Sequence, residues 1–339
     1  MVGMCEPPLA DTSNATAKLM VVGRSSSLGL IQEPVRRSLL LEVSPFIKTM
    51  TMLMIQGQTM VGKYDTIEVR PIAGALGAEI HGVDLSGELS NYQFSEIRDV
   101  FSDNGVIFFR DQKLSPEQHI AFAERWAPIN INRFFTAVEG HPKIAIVLKE
   151  PDQKKNIGGG WHTDHTYDVE PALGSMLYAH EVPKKGGDTM FASMYLAYDT
   201  LSDGLRETLD GLQARHSSRR VFGADRTGDT VGRIKNPKLA TQDAVHPVVI
   251  THPLSGRKSL YVNPGFTLGF EGWTDEESKP LLDYLYAHAS RPEFTCRFQW
   301  KEGSIAFWDN RATWHMAIND YQGQRRLMHR ITLEGSALN

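Results

Sequence analysis

From Ser175 onward the chain is cut into short apolar runs by Gly-Gly, Pro and Asn-Pro steps, and this punctuation constrains the fold more than any other feature. The runs are Ser175–Ala179, Thr189–Ala192, His246–Thr251, Ser259–Val262, Phe294–Trp300, Ser304–Trp308 and Met328–Leu333. Runs of that length bounded by turn residues read as strands. Many of them at irregular intervals predict a mainly β sandwich or barrel with helices packed outside. Thr200–Leu212 and Thr274–Ala289 are the expected inserted helices.

Upstream, Ile67-Glu68-Val69-Arg70 alternates like a strand, and Val106–Phe109 is wholly apolar, as a buried strand is. Ser90 and Gln93 have the spacing of a capping box, which predicts an amphipathic helix to Phe101. Ser115-Pro116-Glu117-Gln118 opens another through Trp126, with proline at the first helical position. No repeat or linker interrupts residues 63–339, so they are read as one domain. Residues 1–62 mix Ser, Pro and Ala with Met50, Met52, Met54 and Met60, and show no sustained periodicity. They are expected to form a disordered extension. Scattered Arg24, Arg36 and Arg37 suggest a transit peptide, but Glu6, Asp11, Glu33 and Glu42 oppose it.

A formal net charge of −4 leaves no basic footprint, so nucleic acid is not an expected partner. Only Cys5 and Cys296 are present, which implies no disulfide framework and fits a reducing cytoplasm. No apolar run reaches the ~18–20 residues of a membrane span. A homo-oligomer is expected.

Trp161-His162-Thr163-Asp164 and the distant Trp314-His315 carry the chemistry. Side chains two apart on an extended segment point the same way, so His162 and Asp164 can grip one ion together. With His315 they would complete the 2-His-1-carboxylate set that suits iron(II) and keeps one face open. By themselves these residues favour a chance His-x-Asp on a strand face, since a chain with 12 histidines and many aspartates will contain one.

The surrounding motifs narrow the choice. Trp161-His162-Thr163-Asp164, Gly186-Gly187-Asp188-Thr189, Trp308-Asp309-Asn310-Arg311, and His315 through Arg326 to Arg330 occur in order. Over about 67–335 the chain resembles the family of taurine dioxygenase and phenoxyalkanoate herbicide dioxygenases. The resemblance implies a double-stranded β-helix, or jelly roll, with iron(II) at one end, 2-oxoglutarate as cosubstrate, and O2. It implies His162, Asp164 and His315 as catalytic metal ligands, Arg326 for the distal carboxylate of 2-oxoglutarate, and Thr189 beside it. Arginine suits that carboxylate because its planar fork pairs bidentately. Arg330 lies an even number of residues beyond Arg326 and would face the same cavity on a strand. In taurine-type relatives this second arginine binds the sulfonate. A buried cation needs an anion, so a small anionic organic substrate is expected, with C–O or C–S cleavage after hydroxylation.

Where taurine-specific relatives carry a histidine and a tyrosine, this chain has Asn132 and Phe135; their asparagine before the iron motif is replaced by Gly158-Gly159-Gly160. His165 and Tyr167 stand where those relatives have an aliphatic residue and a phenylalanine. The expected substrate contacts are Arg330, Asn132, Phe135, His165, Tyr167, Val221 and Phe266. An aryloxyalkanoate, alkyl sulfonate or alkyl sulfate then fits better than taurine. The alternatives are taurine dioxygenase proper and a non-catalytic jelly-roll binding protein.

Overall fold

The computed structural model describes residues 63–225, 230 and 232–338. The expected extension, residues 1–62, lies outside the described residues.

One nine-stranded sheet dominates. From edge to edge it runs Glu68–Pro71, Ala78–His81, Val106–Phe109, Ile305–Asp309, Gly174–Glu181, Arg326–Leu333, His141–Lys149 and Ala137–Val138, with Ile129–Asn130 added on Arg326–Leu333. Facing it is a three-stranded sheet in the order Thr295–Phe298, Thr189–Ser193, Thr313–Ala317. The period of two in each central strand supplies two cores. Ala306, Trp308, Leu177, Ala179, Val106, Phe108 and Met328 pack with Phe191, Cys296 and Phe298 of the smaller sheet. Their alternates Ile305, Phe307, Met176, Tyr178, Ile107, Phe109, Ile331 and Leu333 pack under helices Asn91–Asn104 and Pro116–Glu124. This is the jelly roll that the family resemblance implied.

The first helix turns Phe94, Ile97, Val100 and Phe101 to that core, the i, i+3, i+7 stripe of an amphipathic helix. Phe101 stacks on Phe307 with ring centroids 4.2 Å apart. Only half of its expected capping box forms: Ser90 caps the Gln93 N–H, while the Gln93 side chain donates to the Thr66 carbonyl. The second helix has the complete box between Ser115 and Gln118. It stops at Glu124 rather than Trp126, whose N–H bonds back to Ala123 in a tighter turn.

Two other expectations are corrected. His246–Thr251 is two strands, Asp243–Pro247 on Gln213–Ser217 and Val249–Thr251 on Lys258–Leu260. Pro247 has no N–H to continue a ladder, and the chain changes partner there. Thr200–Leu212 shortens to Asp203–Asp210, preceded by a separate helix Met194–Asp199. Among the described residues, no helix is long and apolar enough to cross a membrane.

Candidate active site

His162 and His315 are joined by an isolated antiparallel bridge: the His162 N–H donates to the His315 carbonyl at 3.1 Å, and the His315 N–H donates to the His162 carbonyl at 2.8 Å. The bridge fixes the two imidazoles side by side, with ring centroids 4.1 Å apart. Asp164 then falls beside both, 3.8 Å from His162 Nε2 through Oδ1 and 3.7 Å from His315 Nε2 through Oδ2. Backbone crowding supports this arrangement. A Cβ at Gly265 would lie 2.8 Å from His162 Cβ, and Gly158, at φ +76, lies under the His162 ring edge. The chain needs glycine at both places.

The electrostatics suit a divalent cation. The Gly160 carbonyl, 2.8 Å from His162 Nδ1, accepts a hydrogen bond from Nδ1–H, which leaves Nε2 unprotonated beside Asp164. Burial lowers the pKa of both imidazoles, and His162 lowers that of His315 further, so both are neutral. Burial would raise the Asp164 carboxyl, but neighbouring positive charge, Arg330 foremost, outweighs it and holds it well below the usual carboxylate range. Two neutral nitrogens and a carboxylate, with ligand atoms all within 4.8 Å of one another, can hold one metal ion. Among the described residues no other group of three His, Cys, Asp or Glu is placed to do so.

The strand Arg326–Leu333 directs both arginines into the same cavity, about 330 Å³ in volume. Arg326 is 5% exposed, yet among the described residues its Nε and Nη2 have no hydrogen-bond partner. Beside it, the Thr189 hydroxyl accepts from Trp300 Nε1 at 3.0 Å, which leaves its own proton to give. Native proteins pair nearly all buried polar groups, so an orphaned guanidinium next to a hydroxyl donor fits an absent carboxylate. Arg330 is placed differently. Its Nη2 lies 2.5 Å from Asp164 Oδ2 and 3.0 Å from Ser175 Oγ, and its Nε is buried without a partner.

Phe135, Val221 and Phe266 line the cavity as expected, joined by Ile157 and Phe222, which the sequence reading missed. Three expected contacts do not line it. Asn132 Oδ1 accepts from the N–H groups of Phe134 and Phe135, an Asx turn that aims Phe135 instead. His165 sits at φ 59 and its Nδ1 pairs with Asp168 at 2.8 Å; this left-handed turn swings the ring away. Tyr167 is buried behind Phe266, edge-on at 5.0 Å, and supports the wall from outside. Ser175 was missed as well, because its place beside Arg330 depends on strand register that a single sequence does not reveal.

Residues 68–332 match the family described as taurine catabolism dioxygenase TauD, TfdA family. An alkylsulfatase from Acinetobacter baylyi is 34% identical, over 79% of this chain and 85% of that protein. An alpha-ketoglutarate-dependent sulfate ester dioxygenase from Pseudomonas putida is 33% identical, over 79% of this chain and 90% of that one. Among solved structures, a taurine dioxygenase from Burkholderia xenovorans superposes with a TM-score of 0.69 at 37% identity, covering 81% of this chain and 93% of that one. The chain belongs to the TauD/TfdA family and is a 2-oxoglutarate-dependent dioxygenase that works with iron(II) and O2.

Proposed function

We propose that the enzyme oxidises the carbon next to the anionic group of a medium-sized alkyl sulfate ester, with His162, Asp164 and His315 holding iron(II) and Arg326 and Thr189 holding 2-oxoglutarate. The observation that carries the substrate class is Arg330, a buried guanidinium with an unpaired Nε at the floor of an apolar cavity. Asp164 faces this guanidinium through Nη2, and a metal ion drawing on that carboxylate would leave Arg330 in need of a second anion, which a sulfate head group in the cavity would supply. Phe135, Val221, Ile157 and Phe266 would cover the alkyl chain, at roughly 0.8 kcal/mol per buried methylene. Taurine fits poorly, since its ammonium would face Phe135 rather than a polar partner. The names of the relatives from Acinetobacter baylyi and Pseudomonas putida support sulfate esters over aryloxyalkanoates. The free, buried Cys296 is compatible with the cytoplasm as the location.

When bound, iron(II) with 2-oxoglutarate and O2 supplies the oxidation of a C–H bond. The chain's residues decide which bond. Arg326 and Arg330 anchor cosubstrate and substrate from one strand, and the aromatic wall excludes water from the space between them. Hydroxylation of a carbon that already bears a sulfate oxygen gives a product that breaks its C–O bond, releasing an aldehyde and hydrogen sulfate. One O2 is consumed, and 2-oxoglutarate leaves as succinate and CO2.

The test is 2-oxoglutarate consumption and sulfate release with a medium-chain alkyl sulfate, the matching alkyl sulfonate, a phenoxypropionate and taurine. The alkyl sulfate should turn over best, with one sulfate released per 2-oxoglutarate. Taurine as the best substrate would refute the reading of the cavity.

A further inference from the structure

Ser175 is fully buried on the central strand Gly174–Glu181, paired across to Trp308 on one side and Thr332 on the other. Its hydroxyl donates to Asp164 Oδ2 at 3.2 Å and accepts from Arg330 Nη2 at 3.0 Å. The same Nη2 lies 2.5 Å from the same Oδ2, so the three groups close a ring. The second hydroxyl nearby, Thr332 Oγ1, lies 3.5 Å from Ser175 Oγ, at the limit of a hydrogen bond. The other oxygen of Asp164 is treated differently. Each oxygen faces one histidine, Oδ1 with His162 Nε2 at 3.8 Å and Oδ2 with His315 Nε2 at 3.7 Å, but among the described residues no hydrogen bond reaches Oδ1.

We propose that Ser175 is a positioning residue: with Arg330 it immobilises Oδ2 of Asp164, so that Oδ1 alone is offered to the metal. The assignment rests on the reading that His162, Asp164 and His315 are the metal ligands. A carboxylate with two free oxygens can swing between one-point and two-point ligation. Two-point ligation would take a coordination position that a bidentate 2-oxo acid and O2 need, since three protein ligands leave three. Holding Oδ2 with two donors on a rigid strand removes that freedom. Ser175 also holds Arg330 by its Nη2 end, and the buried Nε has no hydrogen-bond partner among the described residues.

The experiment measures Mn(II) binding to the metal-free protein, and then product formed per 2-oxoglutarate consumed, for Ser175→Ala, Ser175→Thr and Asp164→Ala. Groups that orient metal ligands typically contribute 10–100-fold to metal affinity. Ser175→Ala should therefore weaken Mn(II) binding by about that factor and lower the product yield per 2-oxoglutarate, with the KM for 2-oxoglutarate unchanged. Ser175→Thr keeps the hydroxyl and should restore both. A Ser175→Ala protein with a lower melting temperature but wild-type Mn(II) affinity and yield would show packing alone and overturn the assignment. Asp164→Ala separates the two levels. If it abolishes Mn(II) binding while Ser175→Ala has no effect, only the role of Ser175 falls. If Asp164→Ala also binds Mn(II) normally, the metal reading falls with it.

Discussion

Arg326→Met should raise stability and destroy cosubstrate binding in the same protein, because Arg326 is buried with two donors unpaired. Burial lowers its pKa, the sign that its charge is a strain on the ligand-free fold. Replacing a buried charge with a well-packed apolar side chain of similar volume stabilises by about 1–4 kcal/mol. At roughly 2–4 °C per kcal/mol for a domain of this size class, the melting point should rise by several degrees. Losing the pair with a bound carboxylate works the other way, at about 3–5 kcal/mol. That is two to three and a half decades in the dissociation constant of 2-oxoglutarate. The assay is anaerobic calorimetric titration of 2-oxoglutarate into the Mn(II)-loaded protein, with thermal melts in parallel. The wild type should gain about 2.7 kcal/mol at a hundredfold excess over its dissociation constant, and Arg326→Met at the same concentration at most about 0.4 kcal/mol. Arg326→Lys should fall between, since it keeps the charge but not the fork. An unchanged dissociation constant, or a ligand-free Arg326→Met less stable than wild type, would refute the reasoning and make Arg326 a structural ion-pair member.

Arg330→Leu should lower kcat/KM for an alkyl sulfate by at least about a hundredfold, the lower end of a broken buried charge pair; equal loss on an uncharged ether analogue would remove Arg330 from the anion role. Phe135→Ala should shift the preference toward longer chains by roughly 1 kcal/mol per added methylene, read as kcat/KM across a homologous series; an unchanged optimum would place the chain elsewhere. His119 is buried with both ring nitrogens unpartnered, and burial pushes its pKa from 6.5 down to about 3. The unfolded chain therefore takes up a proton that the fold refuses, so stability is lost as pH falls from about 6.5 towards 3, by up to about 5 kcal/mol from this group. His119→Leu should flatten that part of the curve in denaturant melts at stepped pH, and an identical slope would contradict it.

What could be read beforehand followed from periodicities of the backbone. Val106–Phe109 is a strand because four successive apolar residues serve two cores at once, as the burial on both faces bears out. The pairing of His162 with Asp164 and of Arg326 with Arg330 follows from even spacing on extended chain, and the structure brings all four into one cavity. What stayed hidden depended on register and on local turns. Gln213–Ser217 carries a single aliphatic residue, Ala214, and was not legible as a strand; it forms because Asp243–Pro247 and Thr267–Phe270 flank it. Asn132 and His165 are expected at the cavity because they stand at positions matched to taurine-type relatives. An Asx turn and a left-handed residue redirected them, and neither conformation is written in residue type alone.

The strand Arg326–Leu333 acts as a ruler between the two halves of the chemistry. Four residues of extended chain span about 13 Å, with one cation at each end and Met328 between them in the core. The Arg330 end is tied to Asp164, beside His162 and His315, while the Arg326 end lies against Trp300, beside Thr189. A dicarboxylate reaching from a metal at this site to Arg326 would therefore run along the strand, and an anion held by Arg330 would stay on the metal side of it. A one-residue slip of this strand would turn both arginines into the opposite core, among Ile331 and Leu333. Its neighbours His141–Lys149 and Gly174–Glu181 pin the register on both edges, and pairing of Thr332 with Ser175 sets it at the point where the carboxylate of Asp164 is held. Fold specification and site geometry are thus one constraint, imposed by the same backbone hydrogen bonds.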